Sequence, residues 1–237
     1  LTEIAENSDW TDYGYYSGSD TGGSEHIESY MFYCDLTYCG EKYRAVTFSA
    51  YRPINNFYKH SQGPQYQAGY YPENIYFFKF EPLRWRILDC DSGLVFCENV
   101  IDAQAFNDIF IYCEDFSSCT LNSYINNKMT AVMFTDAEKS AVKSENGNLL
   151  FILSNEDVTK EEYGFNTSIS YRDEKRIADS TDYCNINSLK QHKYSSFTNC
   201  TNYWTSDVYT ANTHNAYIVS YAGSLTFAQI TAVSGVR

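Results

Sequence analysis

Between Leu83 and Val100, Arg84-Trp85-Arg86-Ile87-Leu88 and Leu94-Val95-Phe96 flank Asp91-Ser92-Gly93. Aromatic and β-branched residues on both sides of a glycine-bearing turn fit an antiparallel hairpin far better than a helix. The same pattern recurs upstream in Tyr43-Arg-Ala-Val-Thr-Phe48 and Ile75-Tyr-Phe-Phe-Lys-Phe80. Downstream it returns in Tyr203-Trp204-Thr205, Ala216-Tyr-Ile-Val-Ser220 and Ser224-Leu-Thr-Phe227, while Leu149-Leu-Phe-Ile-Leu153 reads as a buried strand. Asn55 to Gly69 is polar, carries Pro64 and reads as a long surface loop.

Helical signals are fewer. Ser117 and Ser118 can cap a helix in which Leu121, Tyr124, Ile125, Met129 and Val132 recur at helical spacing. Thr135 and Glu138 have capping-box spacing ahead of Ala141 and Val142, and Ser154-Asn-Glu-Asp157 caps a further short helix ending near Gly164. Strand regions with a few helices between them predict an α+β fold. The 237 residues are 43% hydrophobic, enough to bury a core, and no internal repeat divides them. Residues 1–30 mix Gly, Ser, Asp and Tyr without periodicity and read as an acidic linker or loosely ordered lead-in, leaving 31–237 as a single domain.

The net charge of −13 is uneven. Residues 1–41 hold nine acidic residues and no Lys or Arg, and the remainder sets 17 basic against 21 acidic residues. This balance, without a basic stripe, disfavours nucleic acid and anionic lipid as partners. No apolar run of about 18 residues predicts membrane insertion, and Leu1-Thr2-Glu3 opens without a basic or apolar leader.

Eight cysteines fall near one another in four places: Cys34 and Cys39, Cys90 and Cys97, Cys113 and Cys119, Cys184 and Cys200. None has C-x-x-C spacing, and His26, His60, His192 and His214 are scattered, so neither a zinc site nor another metal or cofactor is expected. Disulfides are the expected use, most of all Cys113 with Cys119 and Cys184 with Cys200, which implies a secreted or cell-surface protein. Reduced, buried cysteines of a cytosolic protein stand as the alternative. Asn166-Thr-Ser and Asn199-Cys-Thr fit the N-glycosylation pattern.

Six segments in order, Phe80-Glu-Pro-Leu-Arg-Trp-Arg-Ile-Leu88, Asn99-Val-Ile-Asp-Ala-Gln-Ala-Phe106, Phe134-Thr-Asp-Ala-Glu138, Leu150-Phe-Ile-Leu-Ser154, Tyr203-Trp-Thr-Ser206 and Gly235-Val-Arg237, carry a further signal. Together with Gly40-Glu-Lys-Tyr-Arg-Ala-Val-Thr-Phe48 and Tyr51-Arg-Pro53, this order resembles a bacterial surface domain family. That family is similar to the branch of the C-type-lectin-like superfamily that includes formylglycine-generating enzymes and retroelement-diversified variable proteins. The resemblance covers roughly residues 40–237 and implies a C-type-lectin-like fold with Trp204 and Phe134 in its core. The chain departs from the family's pattern at Leu121-Asn-Ser-Tyr-Ile-Asn126 and Trp204-Thr-Ser-Asp207, where arginines are usual.

The resemblance leaves open an enzyme, a lectin or a displayed binder. An oxidase of the formylglycine-generating kind needs an activated cysteine pair near the C-terminus, and Cys184 and Cys200 are surrounded by Asn, Thr and Tyr. No Gly-x-Ser-x-Gly, His-Glu-x-x-His or phosphate-binding loop is present, so no catalysis is expected. Calcium-dependent sugar binding wants Glu-Pro-Asn with Trp-Asn-Asp, and this chain has Pro72-Glu-Asn74 in the wrong order. In the resembled families the ligand meets the C-terminal segment, where Asp207, Tyr209, Asn212, His214, Asn215, Tyr221 and Phe227 supply adaptable contacts. The expected function is a surface binding or adhesion module for a protein or glycan ligand. A structural spacer or assembly subunit is the alternative.

Overall fold

A two-residue turn organises the N-terminal half. Cys39 (φ 51°) and Gly40 (φ 81°) both take left-handed backbone, the geometry that matches the twist of a hairpin. They close β2 (His26–Tyr38) onto β3 (Glu41–Phe48), with Tyr38 opposite Glu41. The structure, a computed structural model, describes residues 1–19, 26–53, 63–108, 110, 113–144 and 147–237. Ahead of β2 come α1 (Thr2–Glu6) and β1 (Thr11–Ser19). After a helical turn, α2 (Pro64–Gln67), β4 (Tyr76–Lys79) completes an antiparallel sheet in the order β1-β2-β3-β4.

Within the segment read as an acidic linker or loosely ordered lead-in, the described part of residues 1–30 contributes β1 and the start of β2 to this sheet. Tyr13 is buried against Met31, Val46 and Phe48, and β1 pairs with β2 along its length around an irregularity between Asp12 and Gly14. Tertiary burial of one tyrosine outweighs the weak strand preference of Gly, Ser and Asp.

The predicted hairpin is present as β5 (Trp85–Asp89) and β6 (Leu94–Cys97), turning at Gly93 with φ 76°. β7 (Asp102–Ala105) follows, then a short 3-10 turn, Phe116–Ser118, whose first amides are capped by Asp115 and not by the serines. From Thr120 to Met133 the chain is helical throughout: α3 (Thr120–Ser123), a π-helical turn (Tyr124–Met129) and α4 (Thr130–Met133). Leu121, Ile125 and Met129 are spaced by four, which overruns 3.6 residues per turn. The wider i→i+5 turn takes up the excess, and all three remain buried. Thr135 and Glu138 form the expected reciprocal cap of α5 (Asp136–Ala141). Phe134 beside it is only half-buried.

Leu149 to Leu153 is not a strand. It is irregular, with Ile152 and Leu153 buried and Leu153 O accepting from Ser206 N (3.0 Å). Ser154 and Asp157 then cap each other at 2.9 and 3.1 Å, opening short 3-10 turns that end at Gly164 with φ 81°. Next come α6 (Asp182–Ile186) and the small hairpin β8 (His192–Tyr194) with β9 (Phe197–Cys200). The chain finishes with β10 (Tyr203–Val208), β11 (Asn215–Val219), β12 (Leu225–Gln229) and β13 (Val233–Val236). These last four strands and β7 form a sheet ordered β12-β11-β10-β13-β7, antiparallel except for β10 with β13. The fold is thus mixed α+β, mostly strand, with short helices. Trp204 lies at its centre, edge-to-face on Phe106 (5.3 Å) and donating to Gln104 O (2.8 Å). Among the described residues no helix is long and apolar enough to cross a membrane.

The irregular stretch between residues 150 and 180 is held by Arg176, whose side chain is fully buried. Its guanidinium donates to the carbonyls of Val158 (2.7 Å), Ser168 (3.1 Å), Gly223 (3.2 Å), Tyr171 (3.3 Å) and Asn166. Gly223 (φ 80°) meets Asp173 so closely that a Cβ would sit 2.1 Å from its carbonyl oxygen.

No disulfide joins the eight cysteines in the structure, where all are free thiols. In the first hairpin Cys34 faces Ala45 while Cys39 lies in the turn, five residues on, or about 16 Å of strand. Cys90 and Cys97 are likewise drawn apart along β5 and β6, farther than the ~7 Å limit between bridged Cα atoms. Three of the four remaining sulfurs turn to main-chain oxygens: Cys113 to Asp115 (3.2 Å), Cys184 to Val100 (3.0 Å) and Cys200 to His192 (3.1 Å). Burial pushes the Cys119 thiol up to about 12 and Cys184 well above its ordinary value, so neither is a ready nucleophile.

Two outcomes are expected. Titration of thiols in denaturant without reductant gives eight equivalents, and in native buffer the exposed Cys39 and Cys90 react first. Arg176→Met strands several buried carbonyls and lowers the unfolding free energy by about 3–5 kcal/mol, read from urea denaturation.

Candidate functional site

The C-terminal residues expected to bind divide into two groups. At the β10–β11 turn, Tyr209 N donates to Asn215 O (2.9 Å) and the Asn212 side chain accepts from His214 N (3.1 Å). The Tyr209 ring stacks on Phe227 at 4.3 Å and meets Tyr217 edge-on at 5.4 Å. Tyr217 and Phe227 are cross-strand partners of β11 and β12, and Phe227 is 47% exposed. His214 stacks on Phe110 at 4.3 Å. These side chains share one end of the sheet because alternate residues of paired strands face the same way.

Tyr221 lies beyond the opposite end of β11, more than about 13 Å along the strand from Asn215. It stacks on His192 at 4.1 Å and packs edge-on to Tyr194. Burial, then Lys190, holds the His192 imidazole below its ordinary value. The Asp207 carboxylate accepts from Asn155 N (2.5 Å) and so ties β10 to the following 3-10 turns. Asn166 and Asn199 are both exposed, the latter within β9.

A second arrangement escaped sequence reading. A cavity of about 610 Å³ opens between β3 and β4 on one side and β7, the helical run and α6 on the other. Phe78, Phe80, Tyr183, Met129 and Met133 form much of its wall. Arg44 reaches it from β3, held in a two-pronged bond to Asp35 (2.7 and 2.8 Å) with its guanidinium 4.5 Å over the Tyr33 ring. Burial would weaken the Arg44 charge, yet the Asp35 carboxylate holds it firmly protonated.

Asp102 of β7 is the polar centre of the cavity wall. Its carboxylate accepts from Tyr13 (2.8 and 2.9 Å), Asn187 (2.8 Å), the Ala103 amide (2.7 Å) and the Tyr124 hydroxyl. The Tyr13 and Tyr124 hydroxyl oxygens are also only 2.7 Å apart. Burial first, then the neighbouring Asp102 charge, pushes both phenols well above their ordinary value, so both keep their protons. Tyr124 opens the π-helical turn, a backbone feature that often marks functional positions. A polar pocket of about 110 Å³ lies against the same two tyrosines. Among the described residues no group of three or more His, Cys, Asp or Glu is placed to hold a metal ion.

No family model, curated protein or solved structure matches the chain.

Because both tyrosines keep their protons when folded, their contribution to stability is whole below pH ~10 and is lost as pH rises through their raised values. Replacing both by Phe flattens the fall in stability between about pH 10 and about pH 11, measured by urea denaturation. Equal slopes for the two proteins would contradict this.

Proposed function

We propose that the chain is a non-catalytic binding module that presents the Tyr209–Tyr217–Phe227 face to a protein or glycan ligand at the cell surface or outside the cell. The observation that carries this reading is Phe227, exposed on β12 yet already stacked by Tyr209 at 4.3 Å. Rings ordered before binding lose little freedom on contact, and an open aromatic surface suits both a sugar ring and an apolar side chain. Asn212, His214 and Asn215 add donors and acceptors at the same end of the sheet, as in paratopes that combine Tyr with Asn.

Within the α+β class, the C-type-lectin-like assignment belongs to the same proposal. It rests on the six ordered motifs, of which Tyr203-Trp204 and Gly235-Val236 occupy adjoining strands of the core. The extracellular location rests on that resemblance alone, since the cysteines are thiols. The position of β12 at the edge of its sheet favours one other reading, a subunit that assembles by strand addition.

Screening the purified chain on glycan and surface-protein arrays identifies the ligand. Phe227→Ala and Tyr209→Ala each weaken its binding by about tenfold or more, with unchanged circular dichroism. A ligand held equally well by both variants overturns the assignment of this face. Self-association that the same variants abolish selects the assembly reading.

A further inference from the structure

With its carboxylate ionised, the Asp102 cluster has one fewer proton than it has close oxygen contacts. Tyr13 Oη, Tyr124 Oη and an Asp102 carboxylate oxygen all lie within hydrogen-bond distance of one another. Only two hydroxyl protons are available for those three contacts, so one pair of oxygens faces each other without a hydrogen. A donor arriving from outside would relieve that pair.

The same carboxylate has no cationic partner within ion-pair distance among the described residues. Arg44 is committed to Asp35. Arg52 directs its fork to Ala103 O (2.7 Å), Asn187 O (3.0 Å) and Gln104 Oε1 (3.0 Å), and stacks over the Tyr16 ring at 3.6 Å. At the rim Lys79 pairs with Glu41, which leaves Glu81 and Asp182 against Arg84 alone. The lining carries Arg44, Lys79 and Arg84 against Glu81, Asp102 and Asp182, and because Asp35 and Glu41 pair two of those cations from outside it, acidic groups outnumber basic ones around the cavity. Its wall is aromatic and thioether, a surface that attracts a cation through ring faces and accommodates an apolar body. The volume of about 610 Å³ lies in the range of small-molecule sites.

We propose that this cavity is a binding site for a small organic amine, whose ammonium group donates to the Tyr13–Tyr124–Asp102 cluster while its apolar body lies along Phe78, Tyr183 and Met133. The site is separate from the Phe227 face and does not depend on it. An anion is disfavoured by the buried carboxylate. A neutral alcohol could supply the missing proton but would not answer the unpaired charge.

Three probes of nearly one shape separate these terms: phenethylamine, 2-phenylethanol and phenylacetate, titrated into the full chain by calorimetry. The amine is expected to bind at least about tenfold more tightly than the other two. Asp102→Asn removes the charge while leaving an acceptor oxygen, and is expected to reduce the amine's preference over the alcohol to about threefold or less. Because Asp102 also holds the fold together, Met133→Trp serves as a second variant. It enlarges a side chain on the aromatic wall, narrows the space for the ligand's apolar body, and is expected to weaken amine binding by about tenfold or more. An amine Kd weaker than about 1 mM, equal affinity for the alcohol, or amine affinity unchanged by Met133→Trp overturns the proposal.

Discussion

A buried carboxylate with hydrogen bonds but no counter-charge among the described residues is the constraint on which the rest of this structure depends. Asp102 collects Tyr13 from β1, Tyr124 from the helical run and Asn187 from beyond α6, and so joins the first sheet to the second. An ionised carboxylate in a dry interior is tolerated only when several donors converge on it, and each donor is thereby fixed in place. The cavity is a consequence: the two sheets meet at the cluster and leave between them the space that Phe78, Tyr183 and Met133 line.

Buried arginines solve a related problem elsewhere. The stretch from 150 to 180 has few ladder hydrogen bonds, and its carbonyls need donors. Arg176 supplies them from within that stretch, and Arg237 donates to Cys97 O (2.7 Å), Arg176 O (2.8 Å) and the Tyr203 hydroxyl (3.0 Å) while stacking on Phe96 at 4.0 Å. Arg52 does the same between β7 and the segment after α6. A planar five-donor fork suits this role where a lysine would not. The arginines of the Tyr51-Arg-Pro53 and Gly235-Val-Arg237 segments are thus structural.

Short-range signals in the sequence were reliable where the interaction itself is short-range. The β5–β6 hairpin and the caps at Thr135 and Ser154 are set by residues within about ten positions of one another, and each is present. Leu149 to Leu153 misled because an apolar run signals burial alone; among the described residues its link to β10 is the single hydrogen bond from Ser206 N to Leu153 O and no ladder forms. Cys34 and Cys39, and Cys90 and Cys97, are separated for a related reason: nearness in sequence along an extended strand places residues far apart in space.

The sequence by itself determined the class of the fold, the position of most strands and the polar, aromatic character of the C-terminal segment, because alternation, turn residues and caps act locally. Only the tertiary structure decided that Tyr13 belongs to the core, that Tyr221 lies at the opposite end of the sheet from Tyr209, and that a cavity forms around Asp102. The partners of that carboxylate lie 89, 22 and 85 residues from it along the chain. Contacts of that span are created by the meeting of two sheets, and no pattern within either sheet encodes them.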